Sequence, residues 1–236
     1  MCGRYASKSS SKELQSFFDT MQTVGDELSP SYNVAPTQPV RVISNDPHTR
    51  NPTPSPSASS ELPNGVCCLP GPRIGRWRPN SSTPAVTVTE KPSFRSSASK
   101  RRAIVPANGY YEWMKSEEGK KIPYFLHGEG DVIAMAGLYE LWPDPELPED
   151  DPSKWVWTCT VLTRPATDST GHIHDRSPLI LPESFWEHWL DPTLTDKGEV
   201  QAMINSVPEP HLEPYEVSTA VNSRRNNDPS LLEPVH

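Results

Sequence analysis

The chain has 236 residues, enough for one sizeable core, but only 34% are apolar and 28 are proline, more than twice the usual ~5%, so part of it is expected to lie outside that core. A formal net charge of -8 excludes nucleic-acid binding driven by the overall field and leaves such contacts to a local basic face. The four cysteines, Cys2, Cys67, Cys68 and Cys159, form no CxxC pair, which speaks against a zinc ribbon or disulfide framework and for a reducing compartment.

Cys2 follows Met1 directly, and removal of Met1 turns it into a 1,2-aminothiol. An amine and a thiol on adjacent carbons attack one carbonyl carbon in turn, forming an imine and then a five-membered thiazolidine ring. Position alone is equally compatible with an early cysteine that has no role. Ser10 stands three residues before Glu13, a capping box, and Leu14, Phe17, Phe18 and Met21 follow at helical spacing, so a short helix is expected over Ser10–Met21. Val40, Val42 and Ile43 mark a strand within Pro39–Ser44.

Residues 45–86 are rich in Pro, Ser, Thr, Asn and Arg without apolar periodicity and are expected to be disordered. After the basic cluster Lys100-Arg101-Arg102, strands are expected over Ala103–Pro106, Tyr110–Met114, Tyr124–His127, Val132–Leu141, Trp155–Thr163 and Leu179–Leu181. The acidic stretch Asp144–Asp151 reads as a solvated connection, Glu183–Leu190 and Asp196–Ile204 as helices, and Pro214–Ser218 as a last strand. The pattern predicts an α+β domain on a largely antiparallel sheet. No charged-then-apolar leader and no run of ~18 apolar residues is present, so the protein is expected to be soluble and intracellular, cytoplasmic or nuclear, not secreted and not in a membrane.

Two further residues have chemistry to offer. In a strand over Tyr110–Met114, Glu112 shares a face with Tyr110 and Met114 while Tyr111 and Trp113 face the other way. Aromatic surroundings raise a carboxyl's proton affinity and suit acid-base work, although a pairing with an arginine reads the same way. His174 lies in a loop just before Leu179-Ile180-Leu181. His172-x-His174 could be half of a metal site, but a third ligand is missing, so no metal or other cofactor is expected.

Several blocks stand in order along the chain: MCGRY at Met1–Tyr5, YNVAPTQ at Tyr32–Gln38, EKPSFR at Glu90–Arg95 and RRAIVPANGYYEW at Arg101–Trp113. They continue with AGLYE at Ala136–Glu140, TVLTRPA at Thr160–Ala166, IHDRSPLIL at Ile173–Leu181 and VSTAVNSRRNN at Val217–Asn227. In these blocks the chain resembles the SOS response-associated peptidase (SRAP) family, the abasic-site processing proteins. The resemblance implies a single domain over residues 1–236, mostly antiparallel sheets in a barrel-like arrangement flanked by short helices, with a groove for single-stranded DNA. It implies a monomer acting in the DNA damage response, whose partner is single-stranded DNA containing abasic sites. It further implies that Cys2 forms a thiazolidine with the aldehyde of a ring-opened abasic site, giving a DNA-protein crosslink. Glu112 then matches the glutamate beside the α-amine, and His174 the histidine that assists sugar ring opening. Arg4, Arg95 and Arg176 match phosphate-binding positions, and Asn33 a block lining the site. An N-terminal-cysteine peptidase, with His174 as base, is the alternative activity.

The resemblance breaks between Val40 and Glu90, where the family has a Trp-Gly-Leu-(Val/Ile)-Pro-x-Trp block and an Asn-Ala-Arg block. Both return in a single shifted frame. Read from the third base of Asn64, allowed codons for Gly65–Pro72 give Trp-Gly-Leu-Leu-Pro-Ala-Trp-Ala; read from the third base of Ser82, those of Ser82–Ala85 give Asn-Ala-Arg. Residues 45–86 are therefore expected to be an aberrant, frame-shifted or mis-spliced segment replacing two family blocks, which would leave an inactive or weakened product.

Overall fold

The computed structural model describes residues 3–20, 22–24, 26–45, 65–69, 82–149, 151, 154–166 and 168–235. The chain opens with β1 (Arg4–Ser7), α1 (Ser11–Phe17), β2 (Gln22–Val24), β3 (Ser31–Val34), β4 (Val40–Ser44), β5 (Gly65–Leu69) and β6 (Ser82–Pro84). Its middle contains α2 (Arg95–Lys100), β7 (Arg102–Ala107), β8 (Gly109–Lys115), β9 (Lys121–His127), β10 (Ile133–Pro143) and β11 (Trp155–Pro165). It closes with α3 (Asp168–Gly171), β12 (Arg176–Pro178), α4 (Trp186–Leu190), α5 (Lys197–Ser206), β13 (Glu213–Glu216) and 3-10 turns at Thr219–Asn222 and Pro229–Leu232.

The capping box forms as read: the Glu13 amide donates to Ser10 Oγ at 3.2 Å, and the Ser10 amide donates to Glu13 Oε2 at 2.7 Å. The helix stops at Phe17, short of the expected end, and Asp19 turns the chain through a positive φ of 49°. Met21 lies outside the described residues. Of the segment expected to be disordered, residues 46–64 and 70–81 also lie outside them, while Gly65–Leu69 and Ser82–Pro84 are strands. The run Lys100-Arg101-Arg102 does not present a cationic face. Arg101 pairs with Glu140 at 2.6 Å, and the buried Arg102 guanidinium donates to the carbonyls of Ala98, Ser99, Trp189 and Asp191, tying the ends of α2 and α4 together.

Among the described residues the strands form two sheets. One has five strands, ordered β13-β9-β8-β1-β3; the other has eight, ordered β12-β11-β10-β7-β4-β5-β2, with β6 beside β11. Neighbours are antiparallel except β6 with β11 and β2 with β5, matching the largely antiparallel α+β arrangement expected. Alternation along the strands sorts side chains into three apolar layers. Ile104, Ala134, Ala136 and Leu138 face the helices with Trp189 and Met203; Val105, Met135 and Tyr139 face the smaller sheet and meet Tyr110 and Leu126. On the far side of that sheet, Tyr111 and Phe125 pack against Val217, Val221 and Leu231 of the C-terminal segment.

One expected strand is shifted. Arg176–Pro178 pairs with β11, while Leu179–Leu181 bridges β11 and β10: the Leu179 amide donates to Leu162 O at 2.8 Å and the Leu181 amide to Ala134 O at 2.8 Å. The ladder to β11 thus precedes the apolar run, which itself crosses to β10 through an isolated antiparallel bridge between Ile180 and Met135.

The chain crosses from the larger sheet to the smaller between β7 and β8, at Asn108-Gly109. Gly109 has φ +150°, and a Cβ there would lie 2.4 Å from Phe125 Cζ and 2.7 Å from Leu126 O. Gly109→Ala is expected to cost about 2–4 kcal/mol through strain and overlap. Urea denaturation checks this; a loss below about 0.5 kcal/mol would show that the corner relaxes freely.

Candidate functional site

The residues with chemistry gather where the first strand, β8 and the loop before β12 meet. On β8, Tyr110 and Met114 enter the layer between the sheets and Tyr111 and Trp113 the layer beneath the C-terminal segment, so the alternation read from the sequence holds. Glu112 lies on the inner side and is 3% exposed. Burial pushes its carboxyl up to about 7; the positive charge at the start of the chain pulls against this, and the negative charge of Asp175 adds to it.

Cys2 lies outside the described residues. Its neighbourhood is nevertheless bounded by the chain. β1 runs antiparallel to β8 with Arg4 opposite Tyr111 and Tyr5 opposite Tyr110, so the strand enters the fold beside Glu112. Only Gly3 stands between Cys2 and Arg4, two steps of chain that span at most about 7 Å.

His174 reaches the same region from α3. Its amide donates to Thr170 O at 3.3 Å, the preceding Ile173 is buried between the sheets, and Ser177 Oγ lies 3.3 Å from Tyr110 Oη, joining the loop to β8 two positions from Glu112. Burial, reinforced by the positive charge at the start of the chain, holds the His174 imidazole below its ordinary pKa, while Asp175 opposes the shift. The Arg176 amide donates to His174 Nδ1 at 3.0 Å, and Asp175 Oδ1 lies 3.0 Å from the same nitrogen. A carboxyl titrating near neutrality and a neutral imidazole thus stand beside one carboxylate, an arrangement able to accept and return protons at neutral pH.

The other residues read from the sequence fall into separate places. Arg4 and Asn33 come together on the opposite face of the smaller sheet. The Arg4 guanidinium donates to Asn33 Oδ1, to Val221 O at 3.0 Å and to Asn222 O at 3.0 Å, and lies 5.8 Å from the Trp113 ring centre. Asn33, 2% exposed, donates through Nδ2 to the carbonyls of Val221, Ser223 and Asn226. These donors hold the C-terminal segment against the sheet. Arg176 donates to Thr163 O at 2.8 Å and Thr163 Oγ1 at 2.6 Å, bracing β12 on β11. Arg95 is exposed at the start of α2, which packs on the helix side of the larger sheet through Ala98.

Asp175, Ser177, Trp113 and Asn222 were not singled out from the sequence, although all four sit in its recognisable blocks. Trp113 Nε1 donates to Asn222 Oδ1 at 2.6 Å, an isolated long-range contact with no periodic signal. Among the described residues no three His, Cys, Asp or Glu side chains gather as a metal site. The half-buried Cys159 thiol is pushed up to about 12 by desolvation and is not a thiolate at neutral pH.

The SOS response associated peptidase (SRAP) family matches residues 1–224. The chain is 35% identical over 237 residues to the abasic site processing protein YoqW of Bacillus subtilis (strain 168), with 99% of each covered. It is 31% identical over 170 residues to the abasic site processing protein HMCES of Gallus gallus, covering 63% of this chain and 48% of that protein. Its fold matches a crystal structure of a protein from Bacteroides thetaiotaomicron with a TM-score of 0.75 at 23% identity over all of both chains.

The buried carboxyl has a consequence for stability. Because the folded pKa of Glu112 is raised from 4.5 to about 7, its contribution is fully present below pH 4.5 and is lost as pH rises to about 7. Glu112→Gln is therefore expected to stabilise the fold by roughly 1–3 kcal/mol at pH 8 and hardly at all at pH 4. Thermal unfolding of both proteins across that range checks it; a pH-independent difference would place the carboxyl in an ordinary, solvated setting.

Proposed function

Because the chain belongs to the SRAP family, we propose that it processes abasic sites in single-stranded DNA by forming a covalent crosslink through Cys2 once Met1 is removed. The observation that carries this reading is Glu112, a carboxyl titrating near neutrality beside the strand that leads to Cys2. Similarity to proteins named for abasic-site processing supplies the substrate class.

The chemistry balances as a condensation. An abasic deoxyribose is a cyclic hemiacetal; loss of the anomeric hydroxyl proton and protonation of the ring oxygen break the ring and release an aldehyde. The Cys2 amine adds to that carbon, and the two amine protons leave with the carbonyl oxygen as water, giving an imine. The thiol then adds to the imine carbon while its proton passes to nitrogen, closing the thiazolidine. Glu112 takes a proton from the amine and returns one to the departing oxygen, and His174 moves the proton during ring opening. Burial holds the Glu112 carboxyl up at about 7 and the His174 imidazole below its ordinary pKa, so one is poised to give a proton and the other to take one.

Arg176 and Arg95 are proposed to meet the phosphate backbone, where a local positive charge has to offset the net charge of -8. The contacts of Arg4 and Asn33 with residues 221–226 support a different contribution from them, the fixing of the strand that carries the reactive end. Residues 45–86 are proposed to be a frame-shifted segment of an otherwise ordinary family domain, which weakens DNA binding without removing the aminothiol chemistry. Sequencing the transcript tests this directly, and one continuous frame in every transcript refutes it.

Met1-processed protein incubated with an abasic single-stranded oligonucleotide is expected to give a slow-migrating band on a denaturing gel. Cys2→Ser should abolish the band, and Glu112→Gln and His174→Ala should each slow its formation by about 10²–10⁴-fold. Absence of the band, with Cys2-dependent cleavage of a peptide, would instead favour the peptidase. Affinity for the same oligonucleotide is expected to fall below that of YoqW at one fixed salt concentration; equal affinity would show that residues 45–86 do not weaken the groove.

A further inference from the structure

His174 Nδ1 has two partners at the same distance that ask opposite things of it. The Arg176 amide, 3.0 Å away, is a donor and requires a bare Nδ1, which puts the imidazole proton on Nε2. The Asp175 carboxylate, with Oδ1 also 3.0 Å away, is an acceptor and requires Nδ1–H, which leaves Nε2 bare. The first tautomer can only give a proton at Nε2; the second can only take one.

We propose that Asp175 is a positioning residue for His174, stabilising the Nδ1–H form so that Nε2 collects the anomeric proton before handing it to the ring oxygen. The inference rests on the reading of His174 as the proton carrier in ring opening. In the first half of the step the anomeric O–H bond breaks and Nε2–H forms, giving an imidazolium whose Nδ1–H donates to Asp175. In the second half the C1–ring oxygen bond breaks, its electron pair takes the Nε2 proton, and the C1 carbonyl forms. His174 ends as it began, so one histidine supplies both base and acid.

The loop holds the backbone of Asp175 in place beside His174. Asp175 O accepts from the Ala166 amide at 3.0 Å, Ser177 is fixed against Tyr110, and Arg176 is anchored on Thr163. Its charge acts on both proton carriers, since it raises the pKa of Glu112 as well as that of His174. The opposing charges on His174 are Arg176 and the start of the chain. Because the Asp175 side chain is 87% exposed, its influence in the free protein is that of a screened surface charge.

The test uses full-length, Met1-processed protein and its Asp175→Asn and Asp175→Glu variants. Ring-nitrogen NMR shifts of His174 are followed against pH without DNA, and the crosslinking rate is followed against pH with an abasic single-stranded oligonucleotide. Asp175→Asn is expected to move His174 toward the Nε2–H form, shift the acid limb of the rate profile to lower pH, and slow crosslinking at pH 7 by about two- to fivefold, the range for an exposed charge partner. Asp175→Glu should restore the shifts and most of the rate. Identical ring shifts and titration in Asp175→Asn and the native protein would overturn the proposal, as would a rate loss with unchanged shifts. Should Asp175→Asn fail to fold, Asp175→Ser removes the same carboxylate and must move the ring shifts the same way; unmoved shifts overturn it. If the native protein forms no crosslink, the reading of the site fails, but the DNA-free ring shifts still decide the role of Asp175.

Discussion

The pairing of β1 against β8 is the contact on which the site depends. β1 is only four residues long, and on its own a strand of that length is not stable. It is held by β8 on one side and β3 on the other, and Arg4 adds contacts that no strand ladder supplies. The result is a chain start that enters the fold at a fixed place, beside a buried carboxyl. Without those partners, ordering the strand would cost about 1–2 kcal/mol for each residue fixed.

The same sheet separates two kinds of chemistry by its two faces. Its inner face is apolar around Glu112, and desolvation there favours the protonated carboxyl. Its outer face gathers Arg4, Asn33, Trp113 and the carbonyls of the C-terminal segment, where the polar groups satisfy one another. Period-two alternation along β8 therefore places a buried carboxyl and an anchoring tryptophan on adjacent residues without mixing their environments.

Much of this was legible in the sequence, and what was not has physical causes. Strands with alternating or continuous apolar character, such as β10 and β11, were readable because burial writes itself into the pattern. So was the face of Glu112, which follows from alternation once the strand is recognised. β1 carried no such signal, since Arg4-Tyr5-Ala6-Ser7 has neither length nor regular alternation. The work of Arg4 and Asn33 was equally hidden, because their partners are backbone carbonyls more than 180 residues away that any residue type supplies. Leu179–Leu181 told only part of the pairing: apolar residues report burial, and here the run makes an isolated bridge to β10 while the ladder to β11 lies just before it.

The bonds from Arg4 and Asn33 to residues 221–226 tie the first strand to some of the last residues made. During synthesis on the ribosome β1 emerges early, but the clamp that steadies it is completed only when the C-terminal segment arrives. A chain stopped short of that segment would lack the carbonyl partners of Arg4 and Asn33. The fold thus makes the anchoring of its first strand conditional on a finished polypeptide, so a truncated chain cannot assemble the smaller sheet in its complete form.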